Sequence, residues 1–98
     1  MSLVEFEWDP HKAAENVRKH KVSFTEATTV FGDFLGTTVP DPDHSRDERR
    51  FLTVGMSSRN RLLIVSHTER GDRIRMISAR ELTRNEKRVY ETKRQKSD

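Results

Sequence analysis

A chain of 98 residues with 19 Lys+Arg against 16 Asp+Glu, 32% hydrophobic residues and no cysteine has room for one folded domain, and it excludes a disulfide framework or a thiolate metal site. No apolar run reaches membrane-spanning length and the opening MSLVEFEWDP lacks the basic-then-apolar order of a secretion signal, so the expected location is cytoplasmic, with no membrane contact. Charge is divided unevenly: residues 1–60 hold 8 Lys+Arg against 10 Asp+Glu, net −2, whereas residues 61–98 hold 11 against 6, net +5, a basic half suited to a nucleic acid or to an acidic protein partner.

Val4, Phe6 and Trp8 alternate with glutamates and predict a first strand over residues 1–8, at a sheet edge. Asp9-Pro10 then opens a helix, because an aspartate can accept from free backbone N–H groups and proline lacks the donor that would be orphaned at the first position. That helix is expected to run to about His20 with Ala13, Ala14 and Val17 inside. Ser23-Phe24-Thr25-Glu26 reads as a capping box opening a second helix, with Val22 and Ala27 as its staple and Ala27, Val30 and Phe31 buried. The two helices occupy residues 10–32, ending at Gly32.

A β-meander is predicted over residues 34–80. It comprises Phe34 to Val39, then Phe51 to Met56 with a bulge or close approach at Gly55, and then the hairpin RLLIVSHTERGDRIRMISAR turning at Arg70-Gly71-Asp72. Connections this short make consecutive strands antiparallel. Strict alternation places Leu63, Val65, His67 and Glu69 on one face. In the returning strand it sets Arg73, Arg75, Ile77 and Ala79 opposite Ile74, Met76, Ser78 and Arg80. Thr83-Arg84-Asn85-Glu86 is a second capping box, opening a C-terminal helix over residues 83–95 with Val89 and Tyr90 toward the sheet and Arg84, Lys87 and Arg88 in solvent. The segment Pro40 to Glu48 is a charged, turn-rich loop. Its Asp41, Asp43, His44, Asp47 and Glu48 include metal-ligand types, but they lack the spacing and glycine of an EF-hand and any pair of histidines one helical turn apart, so a solvated loop is expected and no metal or other cofactor.

Taken in order, FEWDPHKAAENVRKHKVSF, FTEATTVFGD and RFLTVGMSSRNRLLIVSHTERGDRIRMISARELTRNEKRVYE resemble the BrnT toxins of bacterial type II toxin–antitoxin systems over nearly the whole chain. The most specific pieces are FEWDP, the KH and VSF at the first helix junction, and RIRMISAR followed by a helix carrying Glu86 and Tyr90. Lys21 departs from the glycine common there in the family. The resemblance implies an α+β, RelE-like fold: an antiparallel β-sheet with two N-terminal helices and one C-terminal helix. It also implies a ribonuclease that inhibits translation and is neutralised by a BrnA-like ribbon-helix-helix antitoxin, with operator DNA reached only through that partner.

For RNA cleavage the 2′-hydroxyl is an internal nucleophile, so the protein must supply a base, cations for the phosphorane and an acid for the leaving oxygen. The candidates are His67 or Glu69 as base, Arg75 and Arg80 as phosphate clamps, and Tyr90 or a protonated His67 as acid. Arg61, Arg70, Arg73, Arg84, Lys87 and Arg88 are the candidate RNA-binding residues. Each has a plainer alternative: His67 as a structural histidine, Arg75 and Arg80 in ion pairs with Glu69, Glu81 or Glu86, and Tyr90 as a core anchor. A non-catalytic RNA- or protein-binding module is the competing function. The catalytic reading requires the arginines and His67 to converge on one pocket.

Overall fold

Five strands form one sheet in the order β1-β5-β4-β3-β2, in a computed structural model that describes residues 4–44 and 48–96. The strands are β1 (Glu5–Glu7), β2 (Thr37–Pro40), β3 (Arg50–Met56), β4 (Leu62–Arg70) and β5 (Arg73–Glu81), with helices α1 (Pro10–His20), α2 (Phe24–Thr28) and α3 (Arg84–Lys96). Between β3 and β4 the chain turns by a bond from the Ser57 N–H to the Arg61 carbonyl, 2.8 Å, and Gly71 at φ +64° turns β4 into β5. From β2 to β5 the pairing is antiparallel, but β1 runs parallel to β5, so the expected antiparallel sheet is a mixed one. Short turns dictate the meander; β1 instead joins a strand 68 residues away and is free of that constraint. The first three residues of the expected N-terminal strand, part of the Pro40–Glu48 loop (45–47) and the last two residues lie outside the described residues.

β2 begins later than its sequence suggests. Asp33 closes a tight turn first, accepting at its carbonyl from Gly36 N and at Oδ1 from Leu35 N, while its Oδ2 accepts from Met56 N at 2.8 Å. Gly55 is the expected close approach: a Cβ there would lie 3.0 Å from Val30 Cγ1.

α1 starts as predicted, with Asp9 Oδ1 accepting from His11 N at 2.8 Å and Pro10 leading. It ends at Lys21, whose φ of 61° is left-handed. A side chain costs energy there that glycine avoids, so Lys21→Gly is expected to stabilise the fold by about 0.5–1 kcal/mol, read as a rise in Tm of a few degrees. At α2, Ser23 Oγ accepts from Glu26 N, 3.0 Å, but the Glu26 carboxylate turns inward to Arg61 and Ser57, so only half of the expected capping box forms. At α3 both halves form: Glu86 N donates to Thr83 Oγ1 and Thr83 N to Glu86 Oε1.

One sheet face packs α1 and α2 over Val22, Phe24, Ala27, Val30, Leu63, Val65, Met76 and Ala79. On the opposite face, among the described residues, α3 covers one end, where it lays Tyr90 over Leu62 and Leu82 beside Val54, Met56 and Ile64. Two expected core residues are solvent-facing instead: Val17, 45% exposed, and Val89, 57% exposed. The inward position of α1 is held by Asn16, whose amide donates to the Val22 and Ala79 carbonyls (2.9 and 2.8 Å) and whose Oδ1 accepts from Ala79 N at 3.1 Å. β1 pairs with β5 only as far as Arg75, so Asn16 meets the backbone of Ala79 that no strand reaches.

Candidate nucleic-acid interface

β4 and β5 pair in register from Arg70↔Arg73 to His67↔Met76, then shift, and Ser66 pairs with Ser78. Ile77 is the extra residue of a β-bulge, and it resets the alternation along β5. Directly paired residues share a face, so Arg73, Arg75, Ser78 and Arg80 all stand on the face opposite α1 and α2. The expected split of the arginines between two faces is thereby corrected. Across the sheet this face presents the row Arg50, Thr68, Arg75, Glu7, then Leu52, Ser66, Ser78, then Val54, Ile64, Arg80, with α3 beyond.

His67 does not belong to it. It shares the helix-covered face with Leu63 and Val65, is 3% exposed, and packs between the rings of Phe31 and Phe51 at centroid distances of 4.9 and 5.9 Å. Its Nε2 is 2.7 Å from Thr53 Oγ1, which is itself 2.7 Å from Thr38 Oγ1. Burial pushes the imidazole pKa down, against a smaller upward pull from Glu69, so His67 is neutral at pH 7 and walled off from the arginines. Glu69 pairs with Ile74 on the same far face. The expected convergence of His67, Arg75 and Arg80 on one pocket is therefore not met.

The arginines are engaged with carboxylates. Arg75 Nη1 donates to Glu7 Oε2 at 2.8 Å, Arg73 lies against Glu5 and Glu7, and Arg70 against Glu48. Arg80 grips Glu86 with both terminal nitrogens, at 2.7 and 3.0 Å, one of the pairings its plainer alternative anticipated. That fork, with the Thr83 N–H, pulls the Glu86 carboxyl down to about 2, and the Arg75 guanidinium holds Glu7 below the usual carboxylate range. Except for the Arg80 fork these are partly solvent-accessible contacts without a two-pronged fork, so a phosphate can displace them at modest cost.

Arg61 turns to the helix side, where its guanidinium pairs with both oxygens of buried Glu26, lies against Glu81 and donates to the Lys21 carbonyl at 3.1 Å. Tyr90 is a core anchor whose hydroxyl donates to the Leu35 carbonyl, 3.2 Å. Arg84 and Arg88 are exposed on α3 and Lys87 is half-buried. Sequence reasoning missed Arg50, Thr68 and Glu7. The signal for Glu7 was present in the alternation of β1, but its partner strand was not known; for Thr68 it was the mere step from His67 to the opposite face. Among the described residues no three His, Cys, Asp or Glu side chains are grouped to hold a metal, and no helix is long and apolar enough to cross a membrane.

A mixed five-stranded sheet with two helices on one face, and on the other a C-terminal helix beside a row of arginines, defines a small α+β protein. The sequence model of the family described as "Ribonuclease toxin, BrnT, of type II toxin-antitoxin system" matches residues 8–86, and the chain belongs to this family. Its fold is similar to the crystal structure of the Brucella abortus ribonuclease toxin BrnT, with a TM-score of 0.65 at 17% identity over 85% of this chain and 100% of that one. No curated protein sequence matches.

Proposed function

We propose that this chain cuts RNA in the cytoplasm without a metal, inhibiting translation, and that the arginine face holds the scissile strand. The observation carrying this reading is the bulge at Ile77, which aligns Arg73, Arg75 and Arg80 on one open surface in a member of a ribonuclease toxin family. Arg75 and Arg80 neutralise the charge that builds on the phosphate as the 2′-hydroxyl attacks, and Arg70, Arg73 and the exposed cations of α3 grip the flanking backbone. With His67 and Glu69 on the other side, the proton acceptor on this face is a carboxylate. Glu7 is a weak base while Arg75 holds it, and it regains basicity once a phosphate takes the guanidinium. The inhibitor is a BrnA-like ribbon-helix-helix antitoxin, whose contact with the net +5 half of the chain silences the toxin and links it to operator DNA.

Purified protein in excess EDTA is expected to shorten RNA, with cleavage slowed about tenfold by Arg75→Ala or Arg80→Ala and about a hundredfold by both, as the loss of one or two charge-assisted contacts predicts. Intact RNA, together with a double variant as toxic on expression as the parent, overturns the reading. A binding module without catalysis is the second reading, favoured by the placement of His67 away from the arginines. It gives salt-sensitive RNA binding with no shortened products.

A further inference from the structure

Thr68 is fully buried and its hydroxyl has no hydrogen-bond partner among the described residues. A buried hydroxyl left unpaired costs stability, and valine would fill the same space without that cost. Its position in the sheet suggests why the hydroxyl is there. Thr68 pairs with Arg50 on one side and Arg75 on the other, so its side chain rises between the roots of two arginines, with Cβ atoms about 5 Å apart across each strand pair. The adjacent row, Leu52, Ser66 and Ser78, sets two short hydroxyl side chains between the levels of Arg75 and Arg80. Short hydroxyl side chains thus lie between the strand positions of Arg50, Arg75 and Arg80. Beyond Arg75, Glu7 presents its carboxylate oxygen 2.8 Å from Nη1.

We propose that the Thr68 hydroxyl is the floor of a seat for one RNA phosphate, flanked by Arg50 and Arg75, and that Glu7 is the internal anion competing for Arg75. The arriving phosphate takes the place of the Glu7 carboxylate on the guanidinium. Arg75 then shifts enough to uncover Thr68, whose O–H donates to a phosphate oxygen. No covalent bond changes. The unpaired hydroxyl of the free protein is satisfied only in the complex, so some folding stability is given up for recognition. This rests on the arginine face being the RNA surface, and it names the phosphate-binding group within that surface.

The test uses an uncleavable 2′-O-methyl oligonucleotide and, separately, inorganic phosphate, each followed by amide chemical shifts of the whole chain. Thr68→Val is expected to raise Tm by a few degrees while weakening oligonucleotide binding about tenfold, and Thr68→Ser to keep the affinity. Glu7→Gln is expected to tighten binding severalfold, and more than Glu5→Gln, which removes an equal charge from Arg73 and so controls for general electrostatics. If Thr68→Val is stabilised but binds the oligonucleotide like the parent, the seat is refuted while the RNA reading stands. If the parent neither cuts nor binds RNA, yet inorganic phosphate shifts the Thr68 amide and does so at lower concentration in Glu7→Gln, the seat stands and the RNA reading falls. Phosphate titrations that leave Thr68 unmoved in both proteins refute the seat.

Discussion

Asn16→Ala is expected to lower the stability of the fold by about 3–4 kcal/mol, a fall in Tm of roughly 15 °C or more for a domain of this size. One side chain makes three buried hydrogen bonds, to the Val22 carbonyl and to both backbone groups of Ala79. Removing it strands those groups away from water, and each stranded group costs more than the net gain of an ordinary hydrogen bond. Asn16→Asp is no remedy, because a carboxylate has no N–H for the two carbonyls and would bury a charge against them. The neighbouring Glu15→Ala, which loses only exposed contacts with Arg18 and Lys19, is expected to cost less than about 0.5 kcal/mol. Thermal unfolding of the three variants checks this; an Asn16→Ala protein within 1 kcal/mol of the parent would show that β5 does not depend on the clamp.

Glu26→Ala is expected to cost about 3–5 kcal/mol, since it takes from the largely buried Arg61 guanidinium its two-oxygen partner and leaves only the exposed Glu81, 3.4 Å away. Arg61 Nε donates to Glu26 Oε2 at 2.9 Å and Nη2 to Oε1, Ser57 Oγ adds a bond of 2.7 Å, and Glu26 is 5% exposed. Replacing both partners, as Glu26→Leu with Arg61→Met, is expected to recover most of the loss, because the desolvation of two charges disappears along with their attraction. The pair also shapes acid unfolding. Arg61 holds the Glu26 carboxyl below its ordinary range, so the unfolded chain takes up that proton more readily than the folded protein. Its contribution is complete above roughly pH 5 and fades as the pH drops through the carboxylate range, so the double replacement flattens that part of a stability–pH curve. A single replacement as stable as the double one would refute the argument.

Much of this molecule could be read from local spacing. Asp9-Pro10, Ser23 and the Thr83–Glu86 pair mark helix starts because capping acts over two or three residues. The two-residue alternation in β4 joins His67 to Leu63 and Val65, but it does not say that helices cover that face, which leaves the catalytic and structural readings of the imidazole both open in the sequence. The bulge at Ile77 has neither glycine nor proline to announce it, yet it decides which arginines stand together. Arg61 looked like another surface cation because its partner, Glu26, is 35 residues away, and no periodicity links side chains over that distance. Asn16 carries a polar side chain in an apolar stripe, which hydropathy alone assigns to solvent.

The parallel pairing of Glu5 with Arg73 ties together segments 68 residues apart, so β1 has no strand partner until β5 has been made. While a ribosome is still threading the chain, its leading strand has no neighbour to join and α1 has no Ala79 to clasp. The row that sets Glu7 beside Arg75 is consequently completed only by a contact of long sequence separation, a slower step than closure of the β4–β5 hairpin.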